Sequence, residues 1–247
     1  MNEPVLSVRN LSKRFGGVHA LEGVSFDLYP GEVLALAGDN GAGKSTLIKS
    51  ISGVHQPNEG EIRFRGQPVA FANPRAARDA GIETIYQDLA LADNLDVGAN
   101  VFLGREPMRK LLGLFPALDR PRMWAEARRV VETLDIAIER MDTPVRALSG
   151  GQRQAVAIGR AIHWNAEVLI MDEPTAALGV PEQRKVVALI RGLKARGKAV
   201  LFISHNLADI FAVSDRILVL RRGQKAGERV IGQTDDDEIV KLMVGSA

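Results

Sequence analysis

The residues with the clearest chemical potential form a glycine loop between an apolar run and the start of a helical pattern. The apolar run covers residues 33–37, and the loop consists of Gly38, Asp39, Asn40, Gly41, Ala42, Gly43, Lys44, Ser45 and Thr46. Its spacing fits G-x-x-x-x-G-K-[ST], in which backbone N–H groups curl around a polyphosphate at a helix N-terminus. Lys44 is then expected to reach the β- and γ-phosphates, and the Ser45 hydroxyl to ligate Mg²⁺. The alternative, a glycine-rich turn beside a surface lysine, leaves the flanking strand and helix patterns unexplained.

Two continuous apolar runs end in residues that could complete a phosphate site. The run 168–171 ends in Asp172 and Glu173, and the run 199–203 leads to His205. Such runs are typical of buried parallel strands, whose carboxyl ends form the ligand-binding edge of a sheet. We expect Asp172 to hold Mg²⁺, directly or through water, and Glu173 to polarise the attacking water. A lone histidine after a strand is more often structural, but the predicted place beside the γ-phosphate favours a catalytic role for His205.

Two further residues have both a structural and a functional interpretation. Gln87 follows the predicted strand 82–86, and a polar residue at that edge of a parallel sheet is favoured as functional. Phe15 precedes two glycines where the chain bends back. It belongs to the core, as a lone phenylalanine usually does, or it forms a stacking platform for an adenine ring.

A second glycine pair opens a predicted helix that runs to about residue 162. Ser149 and Gln152 form a capping-box pattern, which is sufficient as a structural explanation. Gly150 and Gly151, however, each lower helix propensity by up to ~1 kcal/mol. A functional explanation is therefore favoured, in which the missing side chains leave the helix N-terminus accessible to a phosphate.

Composition restricts the class of protein. The 247 residues suffice for one α/β domain with a subdomain, or for two small domains. The 32 Lys+Arg nearly balance the 30 Asp+Glu without a basic block, so no nucleic-acid partner is expected. The absence of cysteine excludes a disulfide framework and a thiolate metal site. No apolar run is long enough to cross a bilayer and no signal-peptide pattern opens the chain, so we expect a cytosolic protein unless a partner holds it at a membrane.

The spacing of apolar residues predicts an α/β fold with a mostly parallel core sheet, an antiparallel β subdomain and a helical insert. The insert covers about residues 88–163, where helical spacing replaces the strand signal. Within it, residues 104–121 are predicted to form an irregular connection because prolines and glycines interrupt them. A hairpin and a short helix are predicted to close the chain.

Together, these motifs resemble the nucleotide-binding subunit of an ATP-binding cassette (ABC) transporter over almost the whole chain. A phosphate loop alone also fits kinases and GTPases. The order of residues 148–152, residues 170–174 and His205 is peculiar to the ABC family. The resemblance implies a P-loop NTPase fold of the ABC ATPase type in a single domain, residues 1–247. Its core and antiparallel subdomain would comprise 1–87 and 164–247, and its helical subdomain about 88–163.

The resemblance also implies a role for each matching residue. Residues 38–46 match the Walker A loop, Phe15 the adenine-stacking aromatic, and Gln87 the Q-loop residue that senses Mg²⁺, water and the membrane partner. Asp172 matches the Walker B aspartate, Glu173 the catalytic base and His205 the switch histidine. Residues 149–152 match the signature motif, which completes the phosphate site of the other copy in a head-to-tail dimer. The implied catalytic residues are Lys44, Gln87, Glu173 and His205, and the implied Mg²⁺ ligands are Ser45, Gln87 and Asp172.

One departure and one local similarity refine this expectation. Gly179 stands where the family usually has an aspartate that helps to couple the two sites of the dimer. The stretch 86–106 is similar to that of bacterial monosaccharide importers of the ribose, xylose and fructose type. The resemblance therefore implies hydrolysis of ATP with Mg²⁺ by a homodimer at the cytoplasmic face of the cell membrane. It further implies separate permease subunits and, indirectly, a periplasmic or extracellular sugar-binding protein.

Two alternatives stay open. The first is a soluble cassette ATPase that acts on ribosomes or DNA, although such proteins resemble tandem cassettes with a basic linker or carry long coiled coils, and this chain shows neither. The second is a regulatory cassette with low turnover, which Gly179 favours. The presence of Lys44, Glu173 and His205 opposes it.

Overall fold

The computed structural model describes residues 3–111, 115–134, 136–176 and 178–245. The chain divides into two compact units. Unit 1 comprises Met1–Thr84, Ala166–Pro174 and Ile190–Ala247, and unit 2 comprises Ile85–Asn165 and Thr175–Leu189. No helix within the described ranges is both long and apolar enough to span a membrane.

The described residues form strands and helices in alternation along much of the chain. The strands are β1 (Leu6–Phe15), β2 (Val18–Leu28), β3 (Val33–Ala37), β4 (Glu59–Phe64), β5 (Gln67–Val69), β6 (Ile82–Ile85), β7 (Met108–Leu111), β8 (Phe115–Leu118), β9 (Val168–Asp172), β10 (Ala199–Ile203), β11 (Arg216–Arg221) and β12 (Gln224–Val230). The α-helices are α1 (Lys44–Ile51), α2 (Pro74–Ala80), α3 (Val97–Phe102), α4 (Arg120–Glu132), α5 (Gly150–His163), α6 (Val180–Ala195), α7 (Leu207–Val213) and α8 (Asp236–Val244). Short 3-10 helices cover Val145–Ala147 and Ile231–Gln233.

Unit 1 is built on a six-stranded sheet with the order β12-β11-β3-β10-β9-β6. The strand β3 pairs parallel with β10 and β11, and β10 also pairs parallel with β9. Every residue of β3 and β10 is buried, which explains their continuous apolar sequences. In β9 only Asp172, at the carboxyl end, is partly exposed. The phosphate loop and the acidic pair therefore emerge at the same edge of this sheet.

A second sheet of unit 1 is antiparallel, with the order β2-β1-β4-β5. The strands β1 and β2 form a hairpin that turns at residues 16 and 17. Leucines of both strands, among them Leu6, Leu11 and Leu21, are fully buried in the core cluster that also contains Leu47 of α1. The N-terminal strands thus provide one wall for the helix that follows the phosphate loop.

Unit 2 is mainly helical, as predicted for the insert. Its core is formed by apolar side chains of α3, α4 and α5, including Val101, Met123, Ala127 and Val156. Residues 175–189, which contain the first part of α6, are grouped with this unit. The domain boundaries expected from the sequence stay a prediction.

The prediction of an irregular connection over residues 104–121 is wrong. The strands β7 and β8 pair antiparallel in this segment, with Met108 opposite Leu118 and Lys110 opposite Pro116. Pro116 lacks an N–H group, but an isolated two-stranded ribbon tolerates proline because its edges need no further pairing. The prolines and glycines of this segment are thus compatible with a short antiparallel ribbon.

Candidate active site

The phosphate loop connects the buried strand β3 to the first turn of α1. The Ala42 N–H group donates to the carbonyl of Asp39 over 3.0 Å, so the tip of the loop folds on itself. Gly43 precedes α1 with a φ of 106° and without a side-chain cap. A Cβ atom on Gly43 would lie 2.7 Å from the carbonyl oxygen of Ala20 in β2. Glycine is therefore required here both by the backbone conformation and by close packing.

Lys44 is the first residue of α1, and its side chain folds back over the phosphate loop. Its ammonium group donates to the carbonyl of Asp39 over 3.0 Å and to the carbonyl of Gly38. The positive charge of Lys44 also acts on Asp172, where it opposes a rise in the pKa of the carboxyl group. Lys44 follows the loop after β3 and Asp172 ends β9, so both residues lie at the carboxyl edge of the same sheet.

The two carboxylates after β9 differ in their surroundings. Burial and the neighbouring Glu173 carboxylate raise the pKa of Asp172, and Lys44 and Lys49 partly oppose this. A desolvated carboxylate beside a second negative charge is stabilised by a bound cation. The carboxylate of Asp172 and the exposed hydroxyl-bearing side chain of Ser45 provide the oxygen ligands that Mg²⁺ prefers. The residues present therefore fit a magnesium ion.

Glu173 adopts a conformation that residues with a side chain usually avoid. Its φ is 52°, in the left-handed region, and its N–H group donates to the carbonyl of Ile203 over 3.0 Å. This bond anchors Glu173 to the end of β10. The Oε2 atom of Glu173 lies 2.8 Å from Nδ1 of His205. The His205 side chain is 74% exposed and that of Glu173 is 17% exposed. A carboxylate and an imidazole thus meet at the open edge of the site.

Phe15 lies at the surface rather than in the core. Phe15 is the last residue of β1 and is 45% exposed. The centre of its ring lies 5.1 Å from that of His55, in an edge-on arrangement. The ammonium group of Lys13 lies 5.2 Å from the centre of the Phe15 ring. An exposed aromatic face supported by a second ring can receive a planar ligand. Sequence reasoning missed His55, because nothing in its local spacing indicates this contact.

Gln87 and residues 149–152 belong to unit 2. Gln87 is exposed in a turn that the Leu89 N–H group closes by donating to the carbonyl of Tyr86 over 2.8 Å. The turn begins one residue after β6. Its exposed amide is available to a ligand or a partner.

The capping box predicted at the start of α5 is confirmed. The Gln152 N–H group donates to the Ser149 hydroxyl over 3.4 Å, and the Ser149 N–H group donates to the Gln152 side-chain oxygen over 3.0 Å. A Cβ atom on Gly150 would lie 2.6 Å from Leu178, whereas one on Gly151 would make only ordinary contacts with two flexible side chains. Packing therefore explains why residue 150 is glycine, but it does not explain why residue 151 is glycine.

Gly179 precedes α6 by one residue. A Cβ atom there would lie 2.9 Å from the carboxylate of Glu182, which is the movable end of a long side chain. The backbone does not require glycine at this position. The Gln183 N–H group donates to the Gly179 carbonyl over 2.9 Å, a bond that any residue can accept.

Comparison with protein families decides the class of this site. The model of the ABC transporter family matches residues 21–176, which is more than half of the 247 residues. The chain belongs to the ABC transporter family. It is an ATP-binding subunit of this family and an ATPase.

Individual relatives of this ABC ATPase match most of its length. The fructose import ATP-binding protein FrcA of Rhizobium meliloti is 51% identical over 227 residues, which are 90% of this chain and 87% of the relative. The xylose/arabinose import ATP-binding protein XylG of Sulfolobus acidocaldarius is 47% identical over 243 residues, 98% of this chain and 95% of the relative. The chain spans about half the length of the ribose import ATP-binding proteins that it also matches.

Solved structures show the same fold. The ADP conformation of an ATP-binding cassette of an ABC transporter superposes with a TM-score of 0.85 at 28% identity, over 99% of this chain and 100% of that one. The ABC ATPase fold expected from the sequence is therefore confirmed.

Proposed function

We propose that this ABC ATPase energises the import of a sugar, of the monosaccharide class, through a separate membrane permease. The observation that carries the ATPase chemistry is the meeting of Lys44, Asp172, Glu173 and His205 at one edge of the core sheet. The sugar class is supported by identities of 47% and 51% to import proteins for xylose/arabinose and fructose.

In this proposal the phosphate loop binds the triphosphate of ATP. The N–H groups at the start of α1 face the negative charge, and Lys44 leaves its loop carbonyls to contact the β- and γ-phosphates. Ser45 and Asp172 would hold Mg²⁺, with Gln87 as a further ligand. When bound, the ion neutralises charge on the phosphate oxygens.

Hydrolysis then depends on the pair formed by Glu173 and His205. Glu173 accepts a hydrogen bond from the water that attacks the γ-phosphate, and it thereby orients and polarises this water. The imidazole of His205 stabilises the charge that develops on the phosphate oxygens. The left-handed backbone of Glu173 supports this assignment, because strained conformations persist mainly where the surrounding structure holds a functional group in place.

Two other surfaces of the chain would bind the adenine ring and complete the phosphate site of a second copy. Phe15, with His55 behind it, would stack on adenine. Ser149, Gly150, Gly151 and Gln152 would contact the γ-phosphate bound to a second copy, in a head-to-tail homodimer. The exposed position of Ser149 at the N-terminus of α5, and the absence of a packing reason for glycine at position 151, support this role. Without an aspartate at position 179, coupling between the two sites is expected to use other contacts.

The proposed location is the cytoplasmic face of the cell membrane, where the permease would hold the chain and a sugar-binding protein would deliver the substrate outside. The test is recovery of partners with the tagged chain from detergent-solubilised membranes of the native cell, identified by mass spectrometry. A multi-span permease with a sugar-binding protein encoded beside it is the expected result. Recovery of ribosomal or chromosomal proteins instead would keep the ATPase and refute the transport function.

A further inference from the structure

A buried arginine of α5 holds the backbone that follows Gln87. Arg160 is 8% exposed, and its guanidinium group donates to the carbonyl of Ala90 over 3.0 Å and to the carbonyl of Leu89 over 3.5 Å. A buried guanidinium needs acceptors to replace water. Two of its acceptors are consecutive main-chain carbonyls, so the arginine directly holds the backbone of residues 89 and 90.

The two residues held by Arg160 are in an unfavourable conformation. Leu89 has a φ of 59° and Ala90 a φ of 45°, both in the left-handed region. Residues with a Cβ atom avoid this region, and two in succession need external bonds to remain there. The contacts to Arg160 supply such bonds.

The residues after Ala90 are fixed to the same framework. The guanidinium of Arg153, about two turns before Arg160 on α5, lies 2.5 Å from the carboxylate of Asp93. The fully buried Asn100 accepts from the Ala92 N–H group over 2.8 Å and donates to the Ala92 carbonyl over 3.0 Å. Residues 89–93 are therefore attached to α5 and α3.

Gln87 lies directly before this attached segment. The Leu89 N–H group, in the first residue held by Arg160, also closes the turn that contains Gln87. A displacement of α5 must therefore be transmitted to the Gln87 turn through a short and strained connection. The same helix begins immediately after Ser149.

We propose that Arg160 is a positioning residue that couples Gln87 to the signature helix α5, so that the Gln87 turn follows each movement of that helix. This inference rests on the functions proposed above for Gln87 and Ser149. It assigns the connection between them to one buried side chain of α5.

The test compares Arg160→Met, which keeps the length and loses the donors, with Arg160→Lys, which keeps one charged donor. Arg128→Met is the control for the loss of an arginine–carbonyl bond elsewhere in unit 2, because the exposed Arg128 of α4 donates to the main-chain carbonyl of Glu139. Hydrogen exchange of peptides covering residues 87–93 and steady-state ATP hydrolysis are measured for each folded variant.

Arg160→Met is expected to speed exchange in residues 87–93 by about tenfold or more, the effect of losing bonds that hold a local segment. Its kcat should fall while its KM for ATP is unchanged, since the phosphate loop is in unit 1. Arg160→Lys should recover part of both effects. Adding Ala90→Gly to Arg160→Met should restore part of the protection, because glycine adopts the left-handed conformation without external bonds.

Three results would overturn the proposal. They are unchanged exchange in residues 87–93, a loosened segment with unchanged kcat, and faster exchange throughout unit 2, which would make Arg160 an ordinary core residue. If Arg160→Met fails to fold, Arg160→Lys with and without Ala90→Gly gives the same comparison. The variant Gln87→Ala separates the two claims: an unchanged kcat there refutes the function of Gln87, while the exchange data still decide whether Arg160 holds the segment.

Discussion

Replacing Gly43 with alanine tests whether the phosphate loop depends on close packing as well as on ligand access. The new Cβ atom would lie 2.7 Å from the Ala20 carbonyl oxygen and 3.0 Å from a methyl group of Leu21. The contact with the Ala20 carbonyl cannot be relieved without moving the backbone of β2, and the contact with Leu21 requires its buried side chain to shift. In addition, φ at this position is 106°, which alanine adopts only with strain.

The expected cost follows from these two terms. Backbone strain of this kind costs roughly 1–3 kcal/mol. Forcing an extra methyl group into a packed region costs a further ~1–3 kcal/mol. Gly43→Ala should therefore lower the free energy of unfolding by about 2–6 kcal/mol, a large part of the ~5–15 kcal/mol that stabilises a typical domain.

Two other glycines separate the contribution of backbone strain from that of overpacking. Gly41 has a φ of 81° but no heavy atom within 4 Å of a Cβ atom, so Gly41→Ala should cost only the strain, roughly 1–2 kcal/mol. Gly192 lies inside α6 with open space around it, and Gly192→Ala should stabilise the protein by about 0.5–1 kcal/mol. Urea unfolding followed by circular dichroism, without nucleotide, measures all three. A Gly43→Ala variant as stable as Gly41→Ala would refute the packing argument.

Three further predictions concern the site itself. Lys44→Ala should remove the stabilisation by ATP, which for one bound ligand is about 2.7 kcal/mol at a hundredfold excess over Kd. Lys241→Ala, at an exposed position in the last turn of α8, should keep it, and equal shifts in thermal unfolding would contradict the assignment. Phe15→Ala should weaken ATP binding by roughly 1–3 kcal/mol, as expected for lost stacking, and leave tripolyphosphate binding unchanged in calorimetry; an equal loss for both ligands would exclude stacking. Burial and Glu173 raise the pKa of Asp172 in the folded chain above its unfolded value, so this group lowers stability as pH rises through the interval between the two values. Asp172→Asn should therefore stabilise the nucleotide-free chain at neutral pH while abolishing Mg²⁺-dependent turnover. If urea unfolding at neutral pH shows the variant to be less stable than the parent, the charge of Asp172 does not destabilise the folded chain.

The parts of the fold that sequence predicted well are those governed by local pattern. The strands β3, β9 and β10 are buried on both faces, so each is a continuous apolar run, and such a run predicts a buried strand. The same holds for the capping box of α5, because its partners Ser149 and Gln152 are three residues apart. The antiparallel pairing of β1 and β2 can also be predicted, because the two strands are adjacent in the sequence and a short turn joins them.

The features that sequence did not predict depend on contacts between distant residues. Phe15 meets His55, and Arg160 meets Ala90, only because the fold brings separate elements together. The left-handed conformation of Glu173 has no sequence signal either, since glutamate is not a residue that favours it. The sequence does not indicate the ribbon of β7 and β8 because both strands are only four residues long, and the prolines and glycines around them are typical of irregular loops.

The central claim is that Glu173, held beside His205, activates the water that hydrolyses ATP. The most direct test measures ATP binding and ATP turnover in Glu173→Gln, which keeps the size of the side chain and removes its charge. The account predicts ATP affinity equal to that of the parent protein and a turnover reduced by about 10²–10⁴-fold, the usual contribution of a general base. A Glu173→Gln protein that hydrolyses ATP at a rate near that of the parent would contradict it.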